Sequence, residues 1–185
     1  MKTPKPGSDF TETRLSSKTV YRGGFLELKE DRVKLPDGNS EVREYLIHPG
    51  AVVMIPLLDD GMLVLERQYR YPLHSHFYEL PAGKIEPGED PLLCAQRELL
   101  EETGYVACSW RYLASAYPCV GYSSERQLFY LAQGLSHQGS KPDEEEFLEV
   151  VKVELAIAME WVREGKITDG KTIIGLFWAE KILKS

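Results

Sequence analysis

Gly83-Lys84-Ile85-Glu86-Pro87-Gly88-Glu89-Asp90-Pro91-Leu92-Leu93-Cys94-Ala95-Gln96-Arg97-Glu98-Leu99-Leu100-Glu101-Glu102-Thr103-Gly104-Tyr105 joins a glycine-punctuated loop to a helix with both ends marked. Asp90 is an N-cap residue that accepts from otherwise orphaned amides, Pro91 suits the first helical position and Gly104 supplies a left-handed stop. The spacing therefore predicts a helix from Pro91 to Thr103. At about 100° per residue, Glu98, Glu101 and Glu102 fall within an arc of roughly 100°, so three carboxylates share one stripe. Leu92, Leu93, Leu99 and Leu100 cover most of the opposite half, which puts the apolar side on a core and the acidic side toward solvent or a cleft. Like charges three or four positions apart destabilise a helix by roughly 0.2–0.5 kcal/mol per pair, a cost that a bound divalent cation reverses. Alone, such a stripe is also what an ordinary solvated face looks like.

Outward from this segment, both flanks alternate between strand and helix signals. Pro4, Pro6, Gly7 and Ser8 mark residues 1–18 as a flexible lead-in, with order starting near Thr19. Phe25 to Leu35 and Val42 to Ile47 flank the turn Pro36-Asp37-Gly38-Asn39 and form a hairpin within residues 19–48. Ala51–Leu58 and Met62–Glu66 flank Asp59-Asp60-Gly61 and read as a second hairpin with a deeply buried strand. Downstream, Trp110–Ala116 and Arg126–Ala132 read as strands joined by a loop over Cys119–Ser124, and Pro142–Glu146 is an acidic loop. Leu155, Ala158, Met159 and Val162, then Ile173, Ile174, Phe177, Trp178 and Ile182, recur at helical spacing, so two helices close the chain.

The bulk numbers narrow the function classes. At 185 residues, with 43% hydrophobic and 28% charged, the chain has the composition of one globular domain, read as residues 19–185. A net charge of -7 without a basic patch disfavours nucleic acid, whereas a small phosphate ester remains open because a bound cation outweighs the global field at short range. No apolar stretch reaches membrane-spanning length and the N-terminus lacks an apolar signal core, so no membrane partner is expected and the setting is cytoplasmic. Cys94, Cys108 and Cys119 are too far apart for a zinc pair and read as isolated buried thiols.

The quoted frame resembles the Nudix box at every fixed position: Gly83, Glu89 six positions on, then Arg97-Glu98-Leu99 and Glu101-Glu102 closing on Gly104. Tyr105 departs from the aliphatic class at the last position. With seven fixed residues each matched at roughly one in fifteen, coincidence is on the order of one in 10⁸ per start position. The resemblance implies an α+β fold, an α/β/α sandwich around a mixed sheet with an N-terminal antiparallel hairpin, and hydrolysis of a phosphoanhydride. It makes Glu98 and Glu102 metal ligands, Glu101 an assistant and the Ala82 carbonyl a further ligand. Glu89 reaches back from the loop and Arg97 pairs with a carboxylate to fix its rotamer. Carboxylate oxygens are hard ligands, so Mg²⁺, or Mn²⁺, is the expected cofactor.

Similarity to the ADP-ribose pyrophosphatases extends over most of the chain from about Thr19. It includes Glu66-Arg67-Gln68-Tyr69-Arg70 and Tyr78-Glu79-Leu80-Pro81-Ala82-Gly83, where Arg70 is a phosphate contact, Arg67 a helper and Glu79 a further substrate contact. In Asp143-Glu144-Glu145-Glu146 the likeness points to Glu144 as general base and Glu146 as a substrate-dependent metal ligand, although which loop glutamate is the base stays open. Where members specific for ADP-ribose carry a proline about sixteen positions beyond the box, this chain has Val120, with Pro118 nearest. Nucleotide sugars of the GDP-mannose type and dinucleotides are therefore competing substrates. The resemblance also implies a homodimer formed through the N-terminal hairpin.

Three other functions find some footing in the sequence. Gly165-Lys166-Ile167-Thr168-Asp169-Gly170-Lys171-Thr172 satisfies the P-loop expression, which would make the chain an NTPase. A P-loop follows a buried strand and opens a helix in a parallel sheet, whereas here the preceding residues are helix-periodic and thirteen residues follow. A non-catalytic nucleotide-binding regulator would have lost a metal glutamate, and none is missing. An isomerase would need further catalytic residues of which the sequence has no convincing set. His74 and His76 read as surface decoration.

Overall fold

The structure, a computed structural model, describes residues 9–139 and 147–183. The chain forms two compact units, one running to His48 and including Cys119–Glu125, the other comprising Pro49–Pro118 and the chain from Arg126 onward.

In the first unit, β1 (Thr13–Arg22), β2 (Glu27–Lys34) and β3 (Ser40–Ile47) form an antiparallel sheet in the order β1-β2-β3. The predicted hairpin is β2 and β3, closed by the Leu35–Asn39 turn, with Gly38 at positive φ. Order does not start near Thr19 as the sequence suggests, because β1 begins at Thr13 opposite Lys34. Every residue of β1 is exposed, so it lacks the alternation that marks a half-buried strand. The backbone ladder and flanking ion pairs such as Arg43–Glu12 and Lys18–Glu30 hold the sheet's edge instead.

The second unit contains β4 (Ala51–Pro56), β5 (Met62–Arg70), β6 (Ser75–Glu79), β7 (Ala82–Lys84), α1 (Pro91–Thr103), β8 (Tyr105–Ala116), β9 (Gln127–His137), β10 (Leu148–Glu154), α2 (Leu155–Arg163) and α3 (Gly170–Leu183). One sheet is ordered β7-β4-β9-β8, with β4 and β9 parallel and the other pairs antiparallel; a second is ordered β10-β5-β6 and is antiparallel throughout. The expected second hairpin does not form. β4 and β5 enter different sheets and touch through a single bridge, Leu57 to Leu63. The reason lies in β4, all six of whose residues are buried, so it must lie inside a sheet covered on both faces.

Alternation along β4 distributes the core. Val52 and Met54 cluster with Cys94, Ala95 and Leu99 of α1, whereas Val53 and Ile55 cluster with Ala158 and Met159 of α2 and Leu176 and Ala179 of α3. One helix therefore covers one face and two cover the other, the α/β/α sandwich expected from the sequence. These four β4 side chains contribute on the order of 10 kcal/mol of hydrophobic stabilisation against a fully extended chain. β8 starts at Tyr105 and β9 runs to His137, longer than their predicted cores; the outer end of β9, residues 133–137, is too polar for an apolar pattern to register. Of the three cysteines only Cys94 is buried; Cys108 is exposed on β8 and Cys119 is half-buried in a loop.

Candidate active site

α1 runs from Pro91 to Thr103 as its punctuation predicts. The Asp90 carboxylate accepts from the Leu92 and Leu93 amides at 2.9 and 3.2 Å, and Gly104, at φ 73°, donates its amide to the Leu100 carbonyl. The helix is rotated from the expected orientation. Leu93 is 60% exposed, while Glu102 is only 7% exposed. The acidic stripe thus turns inward, because Cys94, Ala95 and Leu99 supply the packing face and the Leu80–Gly83 strap lies across the glutamates.

Two contacts join stripe and strap. Glu102 Oε2 accepts from the Ala82 amide at 3.1 Å. Glu98 packs so closely on Gly83 that a Cβ there would lie 1.9 Å from its Cδ and 2.1 Å from Oε1. Gly83 is therefore the position where only glycine lets a carboxylate sit against the backbone. Arg97 organises the outer side, its Nε and Nη2 donating to Glu89 at 3.0 and 3.1 Å and its Nη1 to Glu101 at 2.9 Å, with Glu98 Oε1 3.0 Å away. The Arg97 guanidinium, helped by the Glu86 amide, holds the Glu89 carboxyl down to about 2, and Glu89 in turn raises Arg97. Burial, then Glu89, pushes the Cys94 thiol up to about 12, leaving it an inert neutral packing group.

Among the described residues no three His, Cys, Asp or Glu side chains are drawn together as a finished cation cage. The donor set nonetheless fits a hard divalent cation: the carboxylates of Glu98 and Glu102 lie against the backbone of Ala82 and Gly83, and every available donor is oxygen.

Beside the box lies a cavity of 360 Å³ lined by Arg70, Leu73, Phe77, Glu79, Asp169 and Lys171, among others. Arg70 grips Glu79 with Nε and Nη2, both at 2.8 Å, and Lys171 pairs with Glu79 and Asp169. Burial alone would raise the Glu79 carboxyl, but the two cations outweigh it and hold it below its ordinary range. Arg70 is raised by Glu79, and Asp169 and Glu102 add to the negative field around it. Arg67 is not brought to this group: three positions from Arg70 on an unbroken strand, it lies on the other face and pairs with Glu149 at 3.5 Å. Glu144 and Glu146 fall outside the described residues.

Sequence reading missed Asp169, Lys171 and Thr172, which it met only as the tail of a P-loop expression. That stretch is a helix–turn–helix, with α2 ending at Arg163 just before Gly165 and α3 starting at Gly170. The usable signal was Asp169 ahead of an apolar helix, an N-cap pattern; its carboxylate accepts from the Thr172 amide at 3.0 Å. His74 adopts a left-handed conformation at the end of a short 3-10 turn, and His76 lies on β6.

Comparison with known proteins agrees with this geometry. The NUDIX domain family matches residues 47–171, and the family described as nucleoside diphosphate sugar hydrolase N-terminal domain matches residues 12–46. The chain is 37% identical over 172 residues to a methanol dehydrogenase activator of Bacillus methanolicus, covering 92% of this chain and 93% of that protein. It is 36% identical over 163 residues to an ADP-ribose pyrophosphatase of Bacillus subtilis, covering 87% and 88%. A crystal structure of an ADP compounds hydrolase superposes with a TM-score of 0.86 at 27% identity, covering 96% of this chain and 97% of that one. With a glutamate-bearing helix laid under a glycine strap and a family match spanning most of its length, this chain belongs to the Nudix family of hydrolases.

Proposed function

We propose that the chain hydrolyses the diphosphate bridge of ADP-ribose to AMP and ribose 5-phosphate, with Mg²⁺ as its cation and Mn²⁺ as a substitute. The observation that carries the reading is the contact of Glu98 with Gly83, which lays a carboxylate beside the Ala82–Gly83 backbone where hard-cation chemistry needs oxygen donors. Glu98, Glu102 and the Ala82 carbonyl would hold the divalent cation, which would supply charge neutralisation for the diphosphate and a lowered pKa for the attacking water. Glu101 assists, Glu89 and Arg97 keep the carboxylate rotamers fixed, and Arg70 and Glu79 meet the substrate from the adjoining cavity. Water attacks one phosphorus, the bridging P–O bond breaks, and the oxygen leaves on the other phosphate. Glu144 takes the water proton, and Glu146 would supply a further, substrate-dependent ligand to the cation. The names of the Bacillus subtilis relative and of the superposed hydrolase favour an ADP-linked substrate. Val120, standing where ADP-ribose-specific relatives carry proline, keeps nucleotide sugars and dinucleotides as the competing reading.

The test is a panel of ADP-ribose, GDP-mannose and a dinucleoside polyphosphate incubated with Mg²⁺, with Glu98→Gln and Glu102→Gln beside the parent enzyme. Fastest turnover of ADP-ribose, lost in both variants, is expected. A preference for GDP-mannose would overturn the substrate, and full activity in both variants would overturn the site.

The protein also works as a homodimer joined through residues 19–48. In support, Val20, Tyr21 and Phe25 are large apolar side chains at least half exposed there. Its three free cysteines suit a reducing cytoplasm, and among the described residues no helix is long and apolar enough to cross a membrane.

A further inference from the structure

Three consecutive residues of the strap are each held by a different element. The Leu80 amide donates to Thr172 Oγ1 on α3 at 2.8 Å, the Pro81 carbonyl accepts from the Met54 amide on β4 at 2.9 Å, and the Ala82 amide donates to Glu102 on α1 at 3.1 Å. The sheet contact holds the middle of the strap, and Pro81, with its locked φ, leaves Leu80 and Ala82 little freedom to reorient independently of each other. Thr172 is itself aimed: fully buried, it donates its hydroxyl proton to Asp169 at 2.6 Å, which leaves an oxygen lone pair for Leu80. Asp169 also takes the Thr172 amide and Lys171, and Lys171 reaches Glu79, the residue immediately before Leu80. Gly175, one turn further along α3, permits the approach, since a Cβ there would lie 2.2 Å from Leu80 Cδ1.

We infer that Thr172, aimed by Asp169, is a positioning residue that sets the strap through the Leu80 amide and so aligns the Ala82 carbonyl with the carboxylates of Glu98 and Glu102. The inference rests on the proposal that these three groups hold the divalent cation. Replacing the hydroxyl by a methyl keeps the packing and orphans the Leu80 amide, whose search for another acceptor moves the strap. Loss of a partner that orients a ligand typically costs 10–100-fold in metal affinity.

The experiment titrates the full-length protein, without substrate, with Mn²⁺ alone, reading free Mn²⁺ by electron paramagnetic resonance and Tm by circular dichroism. Thr172→Val is expected to weaken binding at least about 10-fold and Thr172→Ser to restore it to within about threefold, the range set by orienting partners of metal ligands. Met159→Ala, which removes a core side chain from α2, is expected to lower Tm with Mn²⁺ binding unchanged. Parent-like binding by Thr172→Val overturns the inference, as does a loss that Met159→Ala reproduces at equal Tm. Should Thr172→Val not fold, Asp169→Asn takes its place, with weakened binding expected and unchanged binding overturning. If Glu102→Gln binds Mn²⁺ as tightly as the parent, the metal reading itself falls, and the Thr172 inference falls with it.

Discussion

Gly83→Ala tests the architecture of the site more sharply than removal of a carboxylate does, because it leaves all the chemistry in place and moves it. The added methyl would lie 1.9 Å from Glu98 Cδ and 2.2 Å from Cγ. Restoring ordinary contact at 3.4 Å displaces the Glu98 carboxylate by about 1.5 Å. The obstructing atoms belong to a long side chain with alternative rotamers, so the cost to folding falls at or below the roughly 1–3 kcal/mol of a core overpacking. A catalytic group misplaced by about 1 Å loses on the order of 100-fold in rate, or about 2.7 kcal/mol of transition-state stabilisation. The assay is AMP release from ADP-ribose under Mg²⁺, with Tm measured on the same samples. The expected result is a fall in kcat/KM of about 100-fold with a loss of only a few degrees in Tm. Because the methyl acts through Glu98, Gly83→Ala should add little to Glu98→Gln, a non-additivity that a double-mutant cycle reads directly. Activity within threefold of the parent, or full additivity of the two changes, would refute the reasoning.

Further outcomes follow from the same contacts. Gly175→Ala inserts a Cβ 2.2 Å from Leu80 in a closed core and should destabilise by roughly 1–3 kcal/mol, read as a lower urea midpoint; an unchanged midpoint would contradict the packing. Glu89 is held down to about 2 by Arg97, so its stabilisation is complete above its ordinary 4.5 and is lost as pH falls through the interval from 4.5 to about 2. Arg97→Gln should flatten the acid side of the stability profile in that interval, and a slope equal to the parent's would count against the pairing. Sedimentation should give twice the chain mass at micromolar protein; a monomer would remove the proposed dimer.

Where sequence and structure agree, the residues concerned carry local signals. Asp90, Pro91 and Gly104 bound α1 without help from the rest of the fold, and the two closing helices announce themselves by apolar periodicity. β1 is missing from the sequence reading altogether, because a fully exposed strand shows no alternation. The separation of β4 from β5 was missed because Asp59-Asp60-Gly61 turns the chain whether the strands beside it pair or part; sheet membership depends on β9, far along the chain. At the site, the sequence carries the expectation that Arg97 pairs with a carboxylate, but that its partners are Glu89 and Glu101 depends on the course of the intervening loop, which spacing alone does not give. The inward turn of Glu102 was not, since a wheel ranks faces by hydrophobicity and cannot register that a strap lies over the acidic one. Thr172 was invisible for a related reason: its partner is Leu80, on the other side of a long stretch of sequence.

The parallel pairing of β4 with β9 matches Ala51 with Gln127, 76 positions later. While the protein is being made, the run Ala51–Pro56 emerges long before the strand that will lie beside it, and closing so distant a pair is intrinsically slow. Until then the nascent chain carries a water-averse ribbon with only the short β7 to pair beside it, the kind of surface that chaperones recognise and that aggregates when they are scarce. Lower temperature or added chaperone during translation is therefore expected to raise the yield in a heterologous host.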